Sequence, residues 1–188
     1  MSLGPPRSGP ATPHGAAGSA LFLDPVQLVD FTRFVAAEVR AGRYPYIRYE
    51  QSERWHQRIY RDRRVDVWLI SWLPDQGTQL HDHGGSSGAF TVLAGELAEA
   101  IHRPGAERGL VERVRGAGQS VGFGPRYVHD VRNLGTRPAV SVHAYSAPLR
   151  SMTYYDLDPG AGLRPVLSLP TEDPEPDVRL PGRGEPAA

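Results

Sequence analysis

Hydrophobic residues recur at helical spacing once, early in the chain. Leu28, Phe31, Val35 and Val39 stand three or four apart and form the stripe of an amphipathic helix. Asp24 can supply an N-cap carboxylate, Pro25 suits the first helical position, and Gln27 can complete a capping box. Gly42 is a plausible stop, so the pattern predicts a helix over roughly 25–41 whose apolar stripe covers a larger layer. From Arg54 to Asp156 the segments become short, often alternating, and rich in β-branched and aromatic residues between turn signals. Strands are expected near 54–61, 65–73, 78–83, 88–93, 96–102, 110–114, 119–123, 126–133, 139–146 and 151–157. Ten short strands after one helix indicate a mainly β fold, a closed β-barrel or jelly roll with the helix packed outside. Asp62-Arg63-Arg64 and Ala94-Gly95 read as hairpin turns, which would make their flanking strands antiparallel. Gly and Pro crowd residues 1–19 and 170–188, which carry no periodicity. Both ends are therefore expected to be disordered around one domain over 20–169.

Composition narrows the chemistry. A chain of 188 residues with 39% hydrophobic side chains suits one core. Basic and acidic residues balance at 21 each, so no electrostatic footprint points to nucleic acid or to anionic lipid. Every basic residue is Arg, which removes Schiff-base lysines and phosphate-loop lysines. Cysteine is absent, so thiol nucleophiles, thiolate metal sites and disulfides are excluded, and any metal must sit on His, Asp or Glu. No apolar run approaches the ~18 residues of a membrane span, and the start lacks a secretory pattern. A cytoplasmic monomer is expected.

Three of the seven histidines stand out. His81 and His83 are two apart on an expected strand, so their side chains leave one face and can converge on an ion while Asp82 points away. Two such residues are also common as surface or core histidines. A further histidine-bearing segment, Pro125 to Asn133, contains His129. Gly77, His81, His83 and Gly95, then Gly118, Pro125, His129 and Asn133, resemble the two signature motifs of the cupin superfamily. In those motifs a carboxylate usually lies seven positions before a glycine, which is position 88, and here that residue is Gly88. The resemblance therefore implies a metal held by three neutral imidazoles. Such a triad leaves about three positions open, which suits an anionic chelating substrate together with dioxygen. Zn, Ni, Cu and Mn fit similar ligands, and open-face oxygen chemistry favours Fe(II).

Ser141, His143 and Tyr145 alternate along 139–146 and share a face, with Val140, Val142 and Ala144 on the other. If that face lines the barrel, Tyr145 presents a hydroxyl near the metal, oriented by His143, which Ser141 can fix in one tautomer. If it faces solvent, the row is only a polar strand.

Together, Ile70-Ser71-Trp72, Gln79 to His83, Val92 to Leu97, Val128-His129 and Ser141 to Ser146 resemble the cysteine dioxygenase family of thiol dioxygenases, in the same order, over roughly residues 25–157. The resemblance implies one non-haem Fe(II) per chain on His81, His83 and His129, with Tyr145, His143 and Ser141 beside it. It implies oxidation of a small-molecule thiol to a sulfinic acid with both atoms of O2. Arg58 matches the arginine that binds the carboxylate of cysteine, and a guanidinium pairs with that group bidentately. If Gln57 instead faced the iron, the site would resemble the branch that uses 3-mercaptopropionate. Animal members join a cysteine to the tyrosine; the matching position is Gly88, so Tyr145 would stay free as in bacterial members. His56 falls where animal members carry a tyrosine. The expected activity is thus L-cysteine oxidation, with 3-mercaptopropionate or a related thiol as the alternative substrate. A non-catalytic metal-binding cupin acting as a sensor is the alternative of another class.

Overall fold

The computed structural model describes residues 21–44, 46–106, 109–158, 160–174 and 176. The one α-helix described, α1 (Pro25–Arg40), starts as its sequence dictates. The Asp24 carboxylate accepts from Val26 N and Gln27 N, and the Gln27 side chain accepts from Asp24 N. Ten strands follow: β1 (His56–Arg61), β2 (Asp66–Trp72), β3 (Ser87–Ala94), β4 (Glu96–His102), β5 (Leu110–Gly116), β6 (Ser120–Phe123), β7 (His129–Arg132), β8 (Ala139–Ser146), β9 (Ser151–Asp158) and β10 (Gly162–Pro170).

One sheet has the order β1-β2-β8-β3-β6, a second β5-β4-β7, and β9 pairs with β10 as a hairpin. The extended segment Gly77–Asp82 runs between β7 and β9 and joins the last two groups into one wall. His81 exchanges both backbone hydrogen bonds with His129, Asp82 N donates to Thr153 O, and Tyr155 N donates to Leu80 O. Alternation on β2 and β8 then assigns two cores. Val67, Leu69, Val140, Val142 and Ala144 pack outward beneath Leu28, Val35 and Ala36 of α1. Trp68, Ile70, Trp72 and Tyr145 point inward to meet Leu97 and Val131 of the other wall. The fold is the mainly β barrel with an external helix that the sequence implies. No described helix is long and apolar enough to cross a membrane.

Three sequence expectations need correction. The strand expected over 78–83 is not a regular strand: its ladder is reduced to bridges at Gly77 and His81, and positive-φ turns at Gly84 and Gly85 end it. Ala94-Gly95 is not a hairpin, because β3 and β4 belong to different sheets. Gly95 adopts φ 70° and passes so close to Pro138 O that a Cβ would lie 2.7 Å from it, so the chain turns a barrel corner there. The segment 162–170, for which no strand was expected, is β10. Its two prolines obscure the alternation, yet Pro165 sits at a register shift on a strand paired only with β9, where a missing N–H is tolerated.

The disorder expected for residues 1–19 lies outside the described residues. At the other end, where disorder was expected from Pro170, that residue closes β10, and the Glu172 carboxylate is paired with Arg61.

Candidate metal centre

His81 and His83 come from the irregular Gly77–Asp82 segment and the turn after it, and His129 opens β7. One ring nitrogen from each lies within 4.8 Å of the others. The three rings are nearly closed to solvent, with centroids 4.9 to 5.2 Å apart. The alternation argued from sequence holds without the ladder. Asp82 faces the other way, accepting from Gly84 N and from the Tyr155 hydroxyl.

Hydrogen bonds set which nitrogen is offered. His81 Nδ1 is 2.7 Å from Gln79 O and His129 Nδ1 is 3.0 Å from Glu99 Oε1, so both donate there and leave Nε2 as the lone-pair atom. Neither ring nitrogen of buried His83 has a hydrogen-bond partner, a costly state in a protein interior unless an ion supplies the missing contact. Burial and the charge of neighbouring imidazoles hold His81 down to about 3 and His83 well below its ordinary value. Both are therefore neutral bases at neutral pH, the form a metal requires. Three converging imidazole nitrogens, one of them otherwise orphaned, fit a divalent transition metal.

Glu99 was not singled out from the sequence. It is fully buried on β4 and accepts from His129, from the Tyr127 hydroxyl at 2.9 Å and from Arg115 at 3.1 Å. Burial alone would raise its pKa, but these donors outweigh that and keep it ionised. The available signal was a carboxylate between Leu97 and Ile101 on the inward face of an alternating strand.

The row on β8 lies inside the barrel, with Ser141, His143 and Tyr145 all buried. Trp72 Nε1 donates to Ser141 Oγ at 2.9 Å, and Ser141 Oγ is 2.8 Å from His143 Nε2. The serine proton then goes to Nε2, which assigns the His143 proton to Nδ1, 3.4 Å from the Tyr145 hydroxyl. Burial holds His143 down to about 3, so the ring is neutral. Tyr145 thus receives from His143 and can donate its own proton elsewhere. Its ring lies 5.0 Å from that of His83. Gly88, paired with Tyr145 across β3, is required by space: a Cβ would lie 2.4 Å from the Phe123 ring, which itself stacks on His83.

Arg58 pairs with Trp68, and Trp68 with His143, so the three occupy one inward-facing row. Its guanidinium rests 4.9 Å from the Trp68 ring, at the open edge of the sheet. Gln57 pairs with Leu69, whose side chain belongs to the outer core, and so takes the opposite face. His56 shares the inward face, its ring 5.7 Å from that of Trp68. Beside His81 opens a cavity of about 200 Å³, lined also by Arg54, Gln79, Met152, Tyr154 and Pro174.

This fold and this site define a mainly β barrel with three buried imidazoles placed to hold a metal ion. More narrowly, the chain belongs to the cysteine dioxygenase type I family, whose pattern it matches over residues 38–158. It is 30% identical over 102 residues to cysteine dioxygenase type 1 of Danio rerio. That match takes in 50% of this chain and 50% of the relative, so the chain spans about half the length of the curated relative it matches. Solved structures that resemble it include a protein with a double-stranded β-helix domain from Klebsiella pneumoniae (20% identity, 54% of this chain and 84% of that one, TM-score 0.47). Another is a cupin superfamily protein from Desulfitobacterium hafniense (11% identity, 53% and 83%, TM-score 0.45).

Proposed function

We propose that this protein is a non-haem Fe(II) thiol dioxygenase that oxidises L-cysteine with O2 to cysteine sulfinic acid, using one ion per chain in the cytoplasm. The observation that carries the reading is the cluster of three buried imidazoles, one without hydrogen-bond partners, beside a Trp72–Ser141–His143–Tyr145 hydrogen-bond chain. Bound Fe(II) would hold thiolate, amine and dioxygen together and favour loss of the thiol proton. His81, His83 and His129 would hold it through ring nitrogens, and Glu99 keeps the His129 ring in position. Tyr145, with its oxygen accepting from His143 Nδ1, directs its hydroxyl proton at the reacting groups. Arg58 pairs with the substrate carboxylate from the inward row, with Trp68 beneath its guanidinium. Phe90 stacks on the His143 ring at 5.2 Å and holds it in the row.

The placement of Arg58 and not Gln57 on the inward face supports cysteine over 3-mercaptopropionate. A panel of L-cysteine, 3-mercaptopropionate and cysteamine with the iron-loaded protein tests this. L-Cysteine should have the highest kcat/KM and cysteamine, without a carboxylate, a poor one. Faster turnover of 3-mercaptopropionate, with cysteine turnover unchanged in Arg58→Ala, would contradict the assignment.

A further inference from the structure

After β10 the chain does not leave the barrel. Thr171 N donates to Arg150 O, and Asp173 N donates to Thr171 Oγ1 at 2.9 Å, which folds the segment back on itself. Glu172 accepts two hydrogen bonds from the Arg61 guanidinium, at 2.7 and 2.9 Å, and lies 3.8 Å from Arg58 Nη1. Asp173 lies 3.0 Å from His56 Nε2. Both contacted side chains, Arg58 and His56, rest on Trp68 in the inward row. Next along the chain, Pro174 and Pro176 line the cavity that ends on His81.

We propose that Glu172 and Asp173 are specificity-determining residues of the thiol site: their carboxylates stand against Arg58 and His56, and a substrate's own carboxylate replaces that of Glu172 at Arg58. The inference rests on the assignment of Arg58 to the substrate carboxylate. The geometry makes the exchange easy in one direction. Glu172 keeps its bidentate bond to Arg61 when it gives up the longer contact to Arg58, so its own carboxylate stays paired. The side chains of Glu172 and Asp173 are 58% and 42% exposed, so water readily takes the place of the contacts that are lost. A small thiol bearing one carboxylate trades one anion for another at Arg58. A thiol without a carboxylate leaves the internal pair in place and gains nothing from Arg58. The strap therefore lowers the affinity for thiols that carry a carboxylate and leaves that for thiols without one unchanged, which narrows the preference that Arg58 alone would give.

The test is anaerobic titration of the iron-loaded protein with L-cysteine and with cysteamine, read as equilibrium affinity without turnover. Glu172→Gln/Asp173→Asn should bind L-cysteine about three- to tenfold more tightly, the range set by weak exposed ion pairs. Cysteamine affinity should not change, and Glu172→Asp should restore wild-type affinity for cysteine. Hydrogen exchange on the metal-free double variant should rise at residues 171–174 and nowhere in the barrel, which confirms that the variant folds. Unchanged cysteine affinity, or an equal gain for cysteamine, overturns the inference. A protein that binds cysteine with these differences yet consumes no dioxygen would refute the dioxygenase activity and leave the strap standing.

Discussion

The chemistry rests on nitrogen atoms whose protons are assigned elsewhere. His129 illustrates this, because its Nδ1–H donates to Glu99 and leaves Nε2 as the lone-pair atom. Glu99→Gln should retain the fold but weaken metal affinity about 10–100-fold, measured by competition with a chelator; unchanged affinity would remove Glu99 from the site. Tyr145→Phe should keep iron and fold while turnover falls roughly 10–1,000-fold, the range for a hydrogen bond to a reacting group. Wild-type turnover in that variant would reduce β8 to a structural strand. Acid provides a third check on the metal-free protein. His81 and His143 are held to about 3 and His83 well below its ordinary value, whereas the unfolded chain protonates histidine near 6.5. From about pH 6.5 downward the unfolded state therefore binds more protons, and stability falls. Asp66 acts in the opposite sense, since burial raises it to about 6 and its contribution is lost as pH rises from about 4 to 6. Three imidazoles outweigh one carboxylate, so the urea midpoint should be lower at pH 5.5 than at pH 7.5; the reverse order would contradict the burial assignments. His81, His83 and the β8 row were legible because two-residue spacing fixes a face even where the ladder fails, and His129 followed from the resemblance of its motif. Glu99 and the hydrogen-bonding role of Trp72 were not legible, because their partners lie on other strands and their roles depend on pairing.

Strands explain why single positions tolerate so little. β8 is buried along its whole length, with the helix-facing core on one side and the polar row on the other, so its two faces serve packing and chemistry separately. Beside it on β3, Gly88 leaves room for Phe123. Gly88→Ala should destabilise the protein by about 1–3 kcal/mol through overpacking and disturb Tyr145, seen as a lower Tm together with lower turnover. An unchanged Tm would mean that Phe123 moves freely aside. The helix was readable to within a residue, because Asp24, Pro25 and Gln27 encode its start locally. Gly77–Asp82 looked regular in sequence because alternation reports side-chain direction and not hydrogen bonding. β10 escaped because Pro165 and Pro170 read as breakers, while an outer strand tolerates proline.

In the assembled barrel, the imidazole cluster of one wall meets the hydrogen-bonded row from the other. Local pattern predicted the class of fold, but it could not say which strands pair, and it misread the Ala94-Gly95 corner as a hairpin for that reason. Nor could composition reveal that Glu172 and Asp173, in a segment rich in proline and charge, return to Arg61 and His56. The central claim is that the three-imidazole site carries iron-dependent oxygenation of a thiol. It is tested most directly by oxygen consumption of the iron-loaded protein with L-cysteine, alongside His129→Ala and with the product quantified. The account predicts one sulfinic acid formed for each O2 consumed by the wild type, and neither iron retention nor oxygen uptake in the variant. Stoichiometric iron with full turnover in His129→Ala, or a wild type that holds iron and consumes no dioxygen with any thiol, would contradict it.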